Sequence, residues 1–263
     1  MKNAALIFIA VFSLLIAFSS CNRTGNNPRA VAVHATRGKK DASTFNLIQS
    51  MVFGTSYSTI MVSAGQSTTM FNKNIPHHFS VKGNINQANS TRNFVFNIGA
   101  ITDNPTYISS SNNYQFQAKI TGGPYMDSIY GGTSNFSLTV GLSSIYMGYM
   151  YVPNYIQLQS VDTPGGRNCV KIKWTNDPTD KLGVVIDVVS YDDNYNIVNR
   201  AYDLVDESNY SSYDISYLFA KLGTQNTFAV NLFRGNYDQF TDGSGNVYNL
   251  LVYSSANQFI KFN

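Results

Sequence analysis

Hydrophobic and polar residues alternate with a period of two along most of the chain after about residue 43. The clearest segments are NYQFQAKI at 113–120 and NFSLTVGL at 135–142, in which nearly every second residue is apolar. Because successive side chains of a β-strand point to opposite faces, this pattern predicts strands with one buried face. Turn-forming motifs separate the segments: KGN, TDNP, TGGP, YGGT, TPGG, NDPTD and TDGSGN. The chain is therefore predicted to be all-β, and TDGSGN to be a hairpin turn.

One segment, SSYDISYLFAKLG at 211–223, has the helical period instead. Its apolar residues stand at i, i+3, i+4 and i+7, namely Ile215, Leu218, Phe219 and Leu222. Ser211 and Asp214 have the spacing of a capping box, and Gly223 can end a helix in the left-handed conformation. We therefore predict one short helix near 211–222 at the end of a β-sandwich.

Length and charge distribution favour two domains over one. A chain of 263 residues can form one large domain or two small ones. Residues 22–120 carry nine basic and two acidic side chains, whereas residues 121–263 carry eight basic and thirteen acidic ones. Opposite charges of this kind favour docking of one half on the other. We predict two β-sandwich domains, 43–152 and 153–263, that meet at Pro153, with a single domain as the alternative.

The first twenty residues have the pattern of a cleaved secretory signal. Lys2 precedes a 15-residue run at 4–18 that is apolar except for Ser13. This run is shorter than the roughly 20 residues that cross a bilayer, and it matches the apolar region of a signal peptide. The small residues Ser19 and Ser20 then precede Cys21. Residues 1–20 are therefore predicted to be removed.

The end of this segment, FSSC at 18–21, resembles the lipobox of bacterial lipoproteins. The resemblance implies cleavage before Cys21, lipidation of Cys21 and a flexible tether over 21–42. The Asn- and Tyr-rich composition is similar to that of Bacteroidota lipoproteins, which implies a lipid anchor in the outer membrane. The periplasmic and surface faces both stay open, and an ordinary secretory signal with an incidental cysteine is the alternative.

The second half resembles an immunoglobulin or fibronectin type III domain. Residues 155–263 contain a strand, IKW, that ends in Trp174, followed by further short elements at the strand spacing of such domains. The resemblance implies an antiparallel β-sandwich and assigns no functional residue.

The chain contains no G-x-S-x-G, H-E-x-x-H or P-loop motif. His77 and His78 are adjacent, so on a strand they point to opposite faces and cannot share one metal ion in regular geometry. Asp192, Asp193 and Asn194 are the densest oxygen ligands, and calcium takes six to eight such oxygens. The same residues are preferred in turns, which need no metal. They are candidate calcium ligands, and we expect no cofactor and no enzymatic activity.

Cys169 lies in NCVKIKW, where it alternates with Val170 and is predicted to share the polar face with Lys171 and Lys173. A catalytic thiol needs a lowered pKa and a nearby base, and the chain has only three histidines. We interpret Cys169 as a bystander without an intramolecular partner.

A tyrosine-rich stretch, SSIYMGYMYVPNY at 143–155, is the most suggestive candidate for ligand binding. Its tyrosines fall on both faces of any strand: Tyr146, Tyr149, Tyr151 and Tyr155. Exposed tyrosines can stack on sugar rings or form an adhesive patch. Apolar residues on both faces are also typical of an interior strand, and this interpretation competes with the first.

Composition limits the function classes further. Only 13% of residues are charged, and the net charge of +3 is too small to imply nucleic-acid binding. We expect a non-enzymatic, lipid-anchored protein of the cell envelope that captures a glycan or a partner protein. The alternative is a structural or adhesive subunit of a surface filament, similar to fimbrillin-type lipoproteins, and an envelope hydrolase comes third.

Overall fold

The computed structural model describes residues 58–68, 74–87, 90–116, 129–177, 179, 183–205 and 212–262. The predicted signal peptide (1–20), Cys21 and the predicted tether (21–42) lie outside these residues and stay predictions. Within the described ranges, no helix is long and apolar enough to cross a membrane.

Strands dominate the described part of the chain, which confirms the all-β prediction. The strands are β1 (Ser58–Thr68), β2 (Asn74–Ile85), β3 (Phe94–Ile98), β4 (Ile101–Asp103), β5 (Thr106–Ile108), β6 (Asn113–Phe116), β7 (Gly132–Val140), β8 (Ser143–Val152), β9 (Leu158–Asp162), β10 (Lys171–Trp174), β11 (Val184–Tyr191), β12 (Ile197–Val205), β13 (Ser212–Asp214), β14 (Thr227–Thr241) and β15 (Val247–Lys261). One short helix, α1 (Ser216–Phe219), and a 3-10 turn at Gly166–Asn168 accompany them.

The strands form one large sheet and two small ones. The large sheet has the order β12-β11-β14-β15-β1-β2-β6-β5, and its ladders are antiparallel except for the parallel pair β1–β15. The small sheets have the orders β4-β3-β7-β8 and β13-β10-β9. The 15-residue strands β14 and β15 run the length of the large sheet and meet at the predicted TDGSGN hairpin turn, which is confirmed.

Both small sheets pack on the same face of the large sheet and enclose two hydrophobic cores. The first core lies under β3, β7 and β8, and includes Leu250 and Val252 of β15. The second lies under β10 and α1, and includes Ala256, further along the same face of β15. Trp174 is 1% exposed in the second core, as expected of a sandwich tryptophan. The architecture is therefore two sandwich-like layers that share one backing sheet.

Polar residues of β14 occupy the seam between the two cores. Arg234 lies on the same face as the core residues of β14 and is fully buried. Its Nε donates to the carbonyl of Asn154 and its Nη1 donates to that of Thr175, both at 3.0 Å. The Oγ of Ser254 on β15 accepts a hydrogen bond from the N–H of Ile156 at 2.9 Å. The connection between the halves is therefore fastened to the large sheet by buried hydrogen bonds.

The large sheet takes strands from both sides of the predicted boundary between residues 152 and 153. β1, β2, β5 and β6 precede the boundary, whereas β11, β12, β14 and β15 follow it. The division into domains at 152/153 stays a prediction, and Pro153 is buried at the seam.

The predicted helix near 211–222 exists but is shorter, because Ser212–Asp214 forms β13 against β10. The Oδ1 of Asp214 accepts hydrogen bonds from the N–H of Ser216 at 2.9 Å and from its Oγ at 2.5 Å. Asp214 thus supports the first turn, while Ser211 lies outside the described residues. The four apolar positions of the helical pattern are all buried, namely Ile215, Leu218, Phe219 and Leu222. Gly223 has the expected positive φ of 77°.

Two local predictions were wrong. Leu142 was expected to share the buried face of β7, but that strand ends at Val140 and Leu142 is fully exposed. Gly141 has a φ of 57° and turns the chain, so the alternation stops there. The KGN motif was expected to end a strand, but Gly83 lies inside β2 with a φ of 121°. A Cβ at this position would lie 1.9 Å from the carbonyl oxygen of Thr59, so glycine permits close strand pairing.

Candidate binding surface on the four-stranded sheet

The β7–β8 hairpin sorts its residues between a buried and an exposed face. Along β8, Met150 and Val152 are buried in the first core, whereas Met147 and Tyr149 are 74% and 76% exposed. The register places Asn135 of β7 directly opposite Tyr149. Directly opposite residues of an antiparallel pair lie on the same face, so this amide stands beside the exposed ring.

The surface that we call the outer face comprises the outward positions of β4, β3, β7 and β8. The strand registers assign to it Val95, Asn97, Thr102, Thr133, Asn135, Ser137, Thr139, Met147, Tyr149 and Tyr151. None of these side chains carries a charge at neutral pH. The outer face therefore combines neutral hydrogen-bonding groups with an exposed aromatic ring on a paired, rigid sheet.

Polar side chains form a hydrogen-bonded row across three strands of the outer face. The hydroxyl of Thr102 on β4 donates to Oδ1 of Asn97 on β3 at 2.7 Å. The Nδ2 of Asn97 then donates to Oγ of Ser137 on β7 at 3.3 Å. Ser137 stands opposite Met147 of β8, so the row runs toward the exposed apolar side chains. These hydrogen bonds hold the side chains of the row in fixed positions.

Tyr146 points to the other side of β8 and is part of an aromatic stack. Its ring lies parallel to Phe240, with centroids 4.3 Å apart, and near Phe136 at 5.5 Å. Its hydroxyl donates to Oδ2 of Asp238 at 2.9 Å, and burial together with this carboxylate raises the pKa of Tyr146. A Cβ at Gly148 would lie 2.7 Å from the Tyr146 ring, so glycine leaves room for the stack. Tyr146 therefore supports the sheet from within.

Tyr151 lies at the seam, half-buried, and its hydroxyl is hydrogen-bonded to the carboxylate of Asp177, 3.1 Å from Oδ2. Burial alone would raise the pKa of Asp177. The N–H groups of Asn154 and Thr179, the Tyr151 hydroxyl and the charge of Arg234 outweigh burial and hold that pKa below its usual value. Asp177 is thus ionised, and its hydrogen bonds join β8 to the second half of the chain.

The four candidate tyrosines do not form one surface. Tyr155 is half-buried against the first core, and Tyr146 and Tyr151 are half-buried with hydrogen-bonded hydroxyls. Tyr149 projects into solvent, so the interior-strand interpretation is wrong for this residue. Ligand binding by any of the four stays a prediction.

The candidate calcium ligands occupy the turn between β11 and β12. The Oδ1 of Asp192 accepts hydrogen bonds from the N–H groups of Asn194 and Asn196, and its Oδ2 accepts one from the Asn196 amide. The hydrogen bonds from Asn196 come first among the causes that lower the pKa of Asp192. Asp193 and Asn194 are exposed. No group of three or more His, Cys, Asp or Glu that could hold a metal occurs among the described residues.

Cys169 and the histidine pair occupy positions outside this surface. Cys169 is 1% exposed rather than on a polar face, so the prediction of its position was wrong. His77 and His78 lie within β2, which agrees with their expected strand.

The neutral polar residues of the outer face were missed as candidates. Asn97, Asn135 and Ser137 are ordinary strand residues in sequence, and only the register of three strands brings them beside Tyr149. The available signal was alternation: in NFSLTVGL the polar positions share the face opposite the apolar ones.

No protein-family model and no curated protein sequence matches the chain. Two solved structures with a local likeness are adhesins. One concerns host cell surface retention of a 1.5-MDa bacterial ice-binding adhesin, with 11% identity, a TM-score of 0.22, and coverage of 80% of this chain and 66% of that one. The other concerns a Ca²⁺-stabilised adhesin of an Antarctic bacterium, with 11% identity, a TM-score of 0.21, and coverage of 76% and 49%. The chain thus spans less than two thirds of either structure, and the low TM-scores carry no functional assignment.

Proposed function

We propose that this protein is a non-enzymatic binding module of the cell envelope that captures a glycan on the outer face. The observation that carries the proposal is the exposed ring of Tyr149, beside Asn135 on an uncharged sheet face. An aromatic body with a polar tip suits interfaces that stay partly wet.

Sugar rings match this surface in two ways. The apolar face of a sugar ring can lie on an aromatic ring, and its hydroxyls need neutral donors and acceptors around it. Tyr149 and Met147 offer the apolar contact, while Asn135 offers both a donor and an acceptor. Met147 and Tyr149 are two residues apart on one face of β8, so they form an adjoining exposed pair rather than scattered residues, and contiguous apolar patches mark interaction sites.

Glycan capture is tested with full-length protein in mild detergent on an array of immobilised glycans. Tyr149→Ala should abolish capture and leave the melting temperature within about 2 °C, because the side chain is exposed. Tyr149→Phe should retain most of the binding, since the ring remains. Tyr202→Ala is the matched control, because Tyr202 is an exposed tyrosine on a different sheet. Capture that survives Tyr149→Ala, or a partner protein bound in place of any glycan, would refute the proposal.

We further propose that Cys21 is lipidated and anchors the protein in the outer membrane, on a face that the proposal leaves open. The support is the signal-like run at 4–18 followed by Ser19, Ser20 and Cys21. Cys21→Ser should move the protein from the membrane fraction to the soluble fraction. A lipidated cysteine has its sulfur in a thioether, so an intramolecular disulfide at Cys21 in the membrane-extracted protein would contradict the anchor.

A further inference from the structure

Resting on the proposed function of the outer face, we infer that its ligand is a neutral glycan rather than an acidic one. The first argument is charge. The outward positions of β4, β3, β7 and β8 contain Thr, Asn, Ser, Val, Met and Tyr only. A sulfate or uronate would lose hydration on this surface and find no Arg or Lys on it in return.

Among the described residues, three carboxylates lie beside this sheet, and none of them belongs to the outer face. Asp177, which meets Tyr151 at the seam, is 1% exposed and accepts hydrogen bonds from two backbone N–H groups. Asp103 on β4 is 5% exposed on the inner side, and Asp238 meets Tyr146 beneath β8. The surface is therefore not acidic either, and a cationic ligand gains nothing from it.

The second argument is the direction of the hydrogen bonds. Ser137 accepts a hydrogen bond from Asn97, so its own hydroxyl proton is left to donate. Asn135 presents a carbonyl and an amino group beside Tyr149. Sugar hydroxyls donate and accept at the same atom, so they can satisfy both residues, whereas a carboxylate can only accept.

The third argument is spacing. Tyr149 and Met147 are two residues apart on β8, which places their side chains about 7 Å apart on one face. Asn135 and Ser137 stand directly opposite these two residues on β7. The pair Tyr149–Asn135 and the pair Met147–Ser137, each with one apolar and one polar side chain, therefore lie side by side along the hairpin. A glycan of at least two sugar units would contact both pairs.

The test compares immobilised neutral and acidic polysaccharides with the full-length protein in mild detergent. We expect neutral glycans to bind, with an affinity that changes less than twofold between 50 and 500 mM salt, because no charge pairs form. Asn135→Asp should weaken binding about tenfold through loss of the amide donor, and Asn135→Ser should weaken it less. Asn135→Lys should create binding to acidic glycans that salt abolishes.

The outcomes separate this inference from the proposed function. Preferential, salt-sensitive binding of acidic glycans that needs Tyr149 would overturn the neutral ligand and leave glycan capture intact. Equal binding of both classes would also overturn the inference, since the surface would then not discriminate charge. Binding of neither class would overturn the proposed function itself. The melting temperature of each variant shows whether a loss of binding reflects a loss of folding.

Discussion

Two aspartates close their hairpins in the same way. Asp192 and Asp242 each accept hydrogen bonds from the N–H groups of the residues two and four positions later, and from the side-chain amide of the latter, Asn196 or Asn246. The two sequences, DDNYN and DGSGN, share only the first and last residues. The carboxylate and the closing asparagine are thus what this five-residue turn requires, and a calcium ion is not needed to explain Asp192.

The fourth position of this turn predicts a stabilising substitution. Tyr195 has a φ of 60° where Gly245 has 83° in the matching turn. A side chain in the left-handed region costs about 1–2 kcal/mol, and glycine loses about 0.5–1 kcal/mol in chain entropy. Tyr195→Gly should therefore raise the free energy of unfolding by roughly 0.5 kcal/mol, measured by urea denaturation. The reverse change, Gly245→Tyr, should lower it, and no change in either variant would contradict the argument.

The lowered pKa of Asp177 predicts how stability depends on pH. Because the folded protein favours the ionised form, the contribution of Asp177 is present above the unfolded pKa of about 3.9 and is lost as pH falls through the folded value. Asp177→Asn should lower stability at pH 7, and the difference from the parent protein should shrink below about pH 4. Urea denaturation at pH 7 and pH 3 measures both. A difference that is independent of pH would show that the charge of Asp177 contributes nothing.

At the scale of elements, side chains accept hydrogen bonds from backbone N–H groups along the sheet edges. On β12, an edge strand among the described residues, the N–H of Arg200 donates to Oδ1 of Asn199, and the N–H of Leu204 donates to Oδ1 of Asp203. β14 has the same arrangement in the part that extends beyond its pairing with β11. There the Oδ1 of Asn236 accepts a hydrogen bond from the N–H of Tyr237, and the Oδ1 of Asp238 accepts one from the N–H of Gln239. An edge whose donors are occupied is a poor template for another strand.

Removing one of these side-chain acceptors should expose the edge. Asn199→Ala frees the N–H of Arg200 on β12, and we expect a larger fraction of dimers or higher oligomers in sedimentation velocity at equal concentration. Gln239→Ala is the control, because Gln239 is exposed on the same sheet and its N–H remains bonded to Asp238. Equal self-association of the two variants would show that the cap at Asn199 does not protect the edge.

The sequence predicts an element well when neighbouring residues alone determine it, and poorly when pairing with a distant strand determines it. The alternation around Phe136 and Leu138, the TDGSGN turn and the four apolar positions of the helical segment depend on neighbours in sequence, and all were predicted. Gly83 has the local signal of a turn, but its role inside β2 is set by the carbonyl of Thr59 on another strand. Likewise, the outer face requires registers that no single segment contains.

At the scale of the whole molecule, the two halves depend on each other through the shared sheet. Phe240, Tyr248 and Leu250 lie beyond the predicted boundary but belong to the first core, with β3, β7 and β8. Two cores could be inferred from length and charge, but a backing sheet common to both could not. The parallel pairing of β1 with β15 joins strands almost two hundred residues apart, and no pattern of neighbouring residues predicts it.

This sharing predicts that the halves do not fold separately. A fragment of residues 153–263 would expose Tyr248, Leu250 and Val252, which are fully buried in the intact chain. We expect residues 43–152 and 153–263, expressed alone, to be insoluble or to lack a cooperative thermal transition. The intact chain should unfold in one transition by calorimetry. Two separated transitions, or a well-folded 153–263 fragment, would support independent domains instead.

The position of β1 has a mechanical consequence for an anchored protein. β1 is flanked along its length by β15, from Ser58 opposite Tyr248 to Gln66 opposite Ala256, and by β2 on its other side. A load that pulls the chain from its N-terminal side, along the axis of β1, must slide this strand past both neighbours at once. Hydrogen bonds loaded together in shear resist far more force than bonds opened one by one from an end. If the protein is anchored as proposed, β1, the first described strand after the predicted tether, therefore leaves the sheet only when its bonds to both neighbours break together.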